Sequence, residues 1–178
     1  MTLGARQGDP DADSPKETMW QGRYVRAIKQ GRWEYVSRTN DVRAVVIVAE
    51  DEDKLILVEQ HRFPIGRKCL ELPAGLIGDE EQGATVESTA LKELEEETGY
   101  RAERIEPLGE YYASPGMLAE SFSLVRAHGV RKVGAGGGVG GEEISVHLVT
   151  RAELPAFIAE KRDAGLGIDA KLLMFFDL

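Results

Sequence analysis

Thr85–Gly99 reads T-V-E-S-T-A-L-K-E-L-E-E-E-T-G, and the reading of the fold starts from this stretch. Nothing between Val86 and Thr98 is Gly or Pro. Thr85 suits an N-cap, and Gly99 suits the left-handed stop after a helix. At about 100° per residue, Glu93, Glu96 and Glu97 share one arc, while Ala90, Leu91, Leu94 and Thr98 fill the next. Carboxylates at i and i+4 repel by a few tenths of a kcal/mol, roughly, in an isolated helix. A cation held between them removes that cost, and hard divalent ions choose oxygen ligands. Taken alone, E-x-x-E-E is more commonly a solvated acidic face.

Outward from this helix the chain reads mostly as strands. Tyr24–Ile28 and Arg32–Arg38 are strand-like around Lys29-Gln30-Gly31, which predicts an early hairpin. Arg43–Ala49 and Lys54–Gln60 are near-continuous apolar runs, the pattern of strands buried on both faces. Ile105–Tyr112, Ser121–Ala127 and Ile144–Val149 are further strands. Thr150-x-x-Glu153 with Pro155 resembles a capping box opening a helix to about Asp163, and Asp169–Phe176 suits a short final helix. Strands and helices mix without a regular βαβ rhythm. This predicts an α/β (α+β) fold, a mixed sheet with helices packed on both sides. Three segments are expected: a disordered lead-in over 1–17, a β arm over 18–40 and one domain over 41–178.

Bulk properties bound the function. The chain has 178 residues, 42% of them hydrophobic, and a formal charge of −9. Its apolar runs are too short to span a membrane. The charge disfavours nucleic acid as a partner. The first fifteen residues carry no apolar core of a signal peptide. The single cysteine, Cys69, excludes an intrachain disulfide, and a cytoplasmic setting fits. Neither a nucleophilic Cys69 nor a zinc site at His128 and His147 has support from spacing.

The segment Gly78–Tyr100 resembles the Nudix box, G-x5-E-x7-R-E-U-x-E-E-x-G-U, where U is bulky and apolar. Gly78, Glu93, Leu94, Glu96, Glu97, Gly99 and Tyr100 match it at strict spacing. Ala84 stands where the loop glutamate belongs and Lys92 where the arginine belongs. Gly75 with Glu81 is the other alignment of the leading half, but its next interval is three residues too long. Glu71-Leu72-Pro73-Ala74-Gly75, Val58–Arg62, Ser114-Pro115-Gly116 and Gly141–Ile144 resemble segments of the ADP-ribose pyrophosphatases of this superfamily. The resemblance implies an α/β/α sandwich and a homodimer that exchanges its N-terminal arm.

It also implies roles for individual residues. Glu93, Glu96, Glu97 and the Ala74 carbonyl would hold Mg²⁺, with Mn²⁺ as the alternative. Glu142 would be a further ligand or the base, and Glu143 the other candidate base; Glu96 belongs with these catalytic carboxylates. If Ile144 enters the core, strand alternation turns Glu142 to its side and Glu143 away. Six glycines within Gly134–Gly141 suggest a gate that brings this acid to the metals. Arg62, Arg43, Trp33, Pro115 and Glu120 are the candidate substrate contacts. Each also has a plainer reading, as a surface ion pair, an aromatic packed in the core or a solvated loop.

The expected activity is hydrolysis of a nucleoside diphosphate sugar, with ADP-ribose giving AMP and ribose 5-phosphate. Another nucleotide sugar, a dinucleotide, or a binding module that has lost turnover are the alternatives.

Overall fold

Val46 and Val48, together with Leu55 and Leu57, face one apolar cluster. Their neighbours Val45, Ile47, Ala49 and Ile56 face a second. Successive side chains of a strand point to opposite faces, so both faces of these two runs are buried, as near-continuous hydrophobicity requires. The computed structural model describes residues 10–40, 42–78 and 83–175.

In chain order, β1 (Lys16–Gln21), β2 (Val25–Gln30) and β3 (Trp33–Arg38) form a three-stranded antiparallel sheet. Then come β4 (Ala44–Val48), β5 (Glu50–Asp51), β6 (Lys54–Arg62), β7 (Arg67–Glu71) and β8 (Ala74–Leu76). Helix α1 spans Val86–Thr98. After it come β9 (Tyr100–Arg101), β10 (Arg104–Tyr112), β11 (Ser121–His128), β12 (Arg131–Lys132), β13 (Ser145–Thr150), α2 (Leu154–Asp163) and β14 (Gly167–Ile168). A 3-10 turn over Ala170–Phe175 follows. One sheet has the order β10-β11-β4-β8, with β11 and β4 parallel. Another runs β13-β6-β7-β14, with β5 on β6 and β14 parallel to β7. Helix α1 closes the second cluster through Ala90 and Leu94, and α2 closes the first through Leu154 and Ile158. Mixed sheets between two helices are the expected sandwich.

Helix α1 starts and stops where its sequence directs. The Thr85 hydroxyl accepts the Ser88 N–H at 3.1 Å, and the Ser88 hydroxyl accepts the Thr85 N–H at 2.9 Å. Gly99 takes φ 73° and donates to the Glu95 carbonyl at 2.8 Å. The Thr150–Glu153 pair makes reciprocal bonds, but they close a turn and α2 begins after it, at Leu154. The early hairpin carries an additional strand: β1 begins at Lys16, so the boundary expected at 18 falls inside it. Most of the expected lead-in, residues 1–9, lies outside the described residues, as does Phe176. Among the described residues no helix is long and apolar enough to cross a membrane.

Candidate active site

Strand β7 runs through Leu72-Pro73 into β8, and β8 pairs antiparallel with β4 so that Val46 faces Ala74. Helix α1 lies beside β8, rotated by the complete burial of Ala90 and Leu94. That rotation turns Glu97 inward until only 5% of it is exposed. Its Oε2 accepts the Ala74 N–H at 3.0 Å. Glu93 lies over Gly75, where an added Cβ would stand 2.0 Å from Glu93 Oε1. Only glycine lets the carboxylate come this close. Glu96 is half-buried, with Lys92 Nζ 3.9 Å from its Oε2.

These carboxylates line one cleft of about 330 Å³ together with Glu142, Ala74 and Arg62. The Glu142 carboxylate accepts the Val139 N–H at 3.3 Å. Glu143 is exposed and outside the lining, while Ile144 is buried; both precede β13, which starts at Ser145, and Glu142 is exposed as well. Arg62 is held by two bonds to Glu71, at 2.7 and 2.6 Å. Its guanidinium therefore reaches the cleft as one half of an ion pair.

The electrostatics of the cleft centre on Glu97. Burial pushes its carboxyl up to about 8; Glu93 and Glu142 add to the rise, and the Ala74 N–H and Arg62 oppose it. Charge on Glu97 at neutral pH is thus unfavourable until a cation joins the cleft. The donors are all oxygen, which suits Mg²⁺ or Mn²⁺ rather than softer ions. Among the described residues no three acid, His or Cys side chains already converge as a finished coordination shell. The carboxylates share the lining of one cleft.

The candidate substrate contacts are spread more widely. Arg43 and Glu120 line a neighbouring cavity of about 410 Å³, with Lys16, Arg26 and Arg38. Arg38 Nη2 donates to Glu120 at 3.0 Å, and Arg43 lies 3.7 Å from Glu110. A third cavity of about 420 Å³ shares Arg62, Ala74, Gly75 and Leu76 with the acidic cleft, and Arg38 and Glu120 with the basic one. Pro115 sits exposed in the turn that follows β10. Strand β3 is pinned to that turn by Val36 N–H on the Met117 carbonyl and Ala119 N–H on the Val36 carbonyl, both at 2.9 Å. Trp33, 50% exposed at the start of β3, lines none of the three spaces.

Sequence reasoning passed over Gln60, Arg38 and Lys171, which line these spaces. Gln60 was accessible, because it lies two residues from Arg62 on the same face of β6. Nothing local marks Arg38, whose partner Glu120 is 82 residues away. The Cys69 thiol is buried, and burial pushes it up to about 12, which leaves it no nucleophilic role.

Comparison with known proteins adds relatives. The model of the family described as NUDIX domain matches residues 39–166. The chain is 38% identical over 118 residues to a methanol dehydrogenase activator of Bacillus methanolicus, covering 66% of this chain and 62% of that protein. It is 45% identical over 75 residues to an ADP-ribose pyrophosphatase of Bacillus subtilis, covering 42% and 39%. With an ADP-sugar pyrophosphatase of Mus musculus it shares 40% over 98 residues, covering 50% and 44%. The match thus spans less than two thirds of the length of each of these three proteins. A crystal structure of an ADP compounds hydrolase superposes with a TM-score of 0.68 at 21% identity, covering 90% of this chain and 89% of that one, and it shares the fold.

Proposed function

This chain belongs to the NUDIX domain family, and from that premise we propose that it is a divalent-metal-dependent pyrophosphohydrolase whose substrate is ADP-ribose. Water cleaves the diphosphate, giving AMP and ribose 5-phosphate. The observation that carries the reading is the meeting of Glu93, Glu96, Glu97 and Glu142 in one cleft around a carboxyl held near 8. The pyrophosphatase names of two relatives support the substrate class.

Mg²⁺, when bound, neutralises and orients the diphosphate and makes a water more acidic. The residues of the chain supply the rest. Gly75 admits Glu93, and the Ala74 N–H fixes the rotamer of Glu97. Glu96 completes the acidic set, and the Ala74 carbonyl is assigned as a neutral ligand. Glu142 takes the proton from the attacking water, and Glu143 stands beside it in the solvent. Arg62, held by Glu71, faces a phosphate. The remaining half of the substrate extends along the shared wall Ala74–Leu76 toward Glu120, Arg38 and Arg43. Pro115 shapes the turn behind Glu120.

Trp33, Met19, Trp20 and Tyr24 expose apolar surface on the three-stranded arm. A second copy covers this surface, and Trp33 reaches the substrate of that copy. The compartment is the cytoplasm.

The test is purified protein with ADP-ribose and Mg²⁺, followed by chromatography of AMP. AMP must appear with Mg²⁺ and vanish with EDTA. A protein that binds ADP-ribose, seen as a raised Tm, yet releases no AMP with either Mg²⁺ or Mn²⁺ rejects the reading in favour of a binding module.

A further inference from the structure

Gly134–Gly141 reads as a loose tether in sequence, but the backbone takes a fixed path against the last turn of α1. The N–H groups of Val133 and Gly134 donate to the Gly99 carbonyl at 2.8 and 3.0 Å. Gly137 N–H donates to the Glu97 carbonyl at 2.9 Å, and Gly138 N–H to the Glu96 carbonyl at 3.0 Å. Carbonyls at a helix C-terminus have no partner within the helix, so this segment supplies one for each of these two. The carbonyl of Gly137 then accepts the Ile144 N–H at 3.2 Å, just before β13. Gly137 thus joins the end of the acidic helix to the residue that closes the loop carrying Glu142.

The closeness of this approach, rather than flexibility, is what requires glycine. A Cβ on Gly136 would stand 2.4 Å from the carbonyl carbon of Thr98, and one on Gly99 would stand 2.4 Å from the carbonyl oxygen of Gly134. Both residues also have left-handed φ, 70° and 73°. A Cβ on Gly138 would lie 2.7 Å from Cβ of Glu142. In contrast, a Cβ on Gly134 would meet nothing nearer than 3.9 Å, and its φ is not positive.

We propose that Gly136, Gly137 and Gly138 are positioning residues that clamp the end of α1 and hold Glu142 in register with Glu96 and Glu97. The clamp makes the acidic cleft one rigid unit. Its activity readout rests on the proposed hydrolase function, while its structural readout does not.

Amide hydrogen exchange on the unaltered full chain, without metal, tests the structural part. The amides of Gly137 and Gly138, which donate to the helix carbonyls, are expected to exchange at least about 100-fold more slowly than unstructured glycine, together with the last turn of α1. Exchange at the unstructured rate overturns the inference. Gly136→Ala tests the functional part. It is expected to lower kcat at least about 10-fold with KM within about twofold. Mn²⁺ affinity, read by electron paramagnetic resonance, falls at least about 10-fold. Gly134→Ala leaves kcat, KM and Mn²⁺ affinity unchanged. Equal losses in the two variants mean that chain flexibility is the requirement, and they overturn the clamp, as does a Gly136→Ala protein matching the parent. If Gly136→Ala does not fold, the exchange measurement decides. A parent chain that makes no AMP but protects these amides sinks the hydrolase reading and leaves the clamp standing.

Discussion

At the scale of single residues, Glu97 decides how the site behaves. Its carboxyl is raised from the ordinary 4.5 to about 8. A raised carboxyl favours the metal-free fold fully below 4.5 and loses that contribution as pH rises through 8. Metal-free protein should therefore lose Tm between pH 5 and 8, and Mg²⁺ should restore it, more at pH 8.5 than at pH 6. A thermal melt series with Mg²⁺ and with EDTA checks this; an Mg²⁺ effect independent of pH counts against it. Glu97→Gln removes the buried charge. It should raise the Tm of the metal-free protein at pH 8.5, abolish the Mg²⁺ effect and lower kcat by about 100-fold or more. Gly75→Ala pushes Glu93 aside and should cost about 10- to 100-fold in metal affinity while far-UV circular dichroism stays unchanged. Unaltered Mn²⁺ titration of that variant would remove Glu93 from the ligand set.

At the scale of elements, what the sequence revealed and what it hid separate by range. The ends of α1 were legible because their signals are local: Thr85 caps it and Gly99 stops it. So were β4 and β6, whose double-sided burial needs near-continuous apolar residues. The strand β1 was hidden, since K-E-T-M-W-Q has no alternation to mark it and all six of its residues are exposed. The docking of 134–141 on α1 was hidden too, because a run of glycine looks the same whether it is loose or tightly packed. Hidden for the same reason of range was a cluster that ties β6, β7, β13 and α2 together. Glu59, on β6 and 8% exposed, accepts from Lys161 at 2.7 Å and Lys68 at 3.2 Å, and lies 3.1 Å from His147. Burial pushes its carboxyl up, but the two ammonium groups and His147 outweigh burial and hold it at about 2. A depressed carboxyl stabilises the fold above 4.5 and loses that contribution as pH falls toward 2. Lys161→Met should cost about 1–3 kcal/mol at pH 7 and much less at pH 2, read from urea midpoints. An equal cost at both pH values would show that the lost contact is packing, not charge.

At the scale of the molecule, the acidic chain separates its signs. Four carboxylates line one cleft, Lys16, Arg26, Arg38 and Arg43 border another cavity, and a third space shares lining residues with each. An anionic substrate lying across both, with cations bound in the acidic half, satisfies the two together. The apolar arm extends the account to a second copy. Trp20→Glu, at a residue 58% exposed, should turn a dimer into a monomer in sedimentation and raise KM. A parent chain that sediments as a monomer with full activity would remove the exchange of arms from the account. The most direct measurement is an anomalous difference map from crystals grown with Mn²⁺ and a non-hydrolysable ADP-ribose analogue. The account predicts a peak within bonding distance of Glu93 and Glu97, facing Glu142 and touching the diphosphate. A bound analogue with no peak there, and with these side chains turned to solvent, would contradict it.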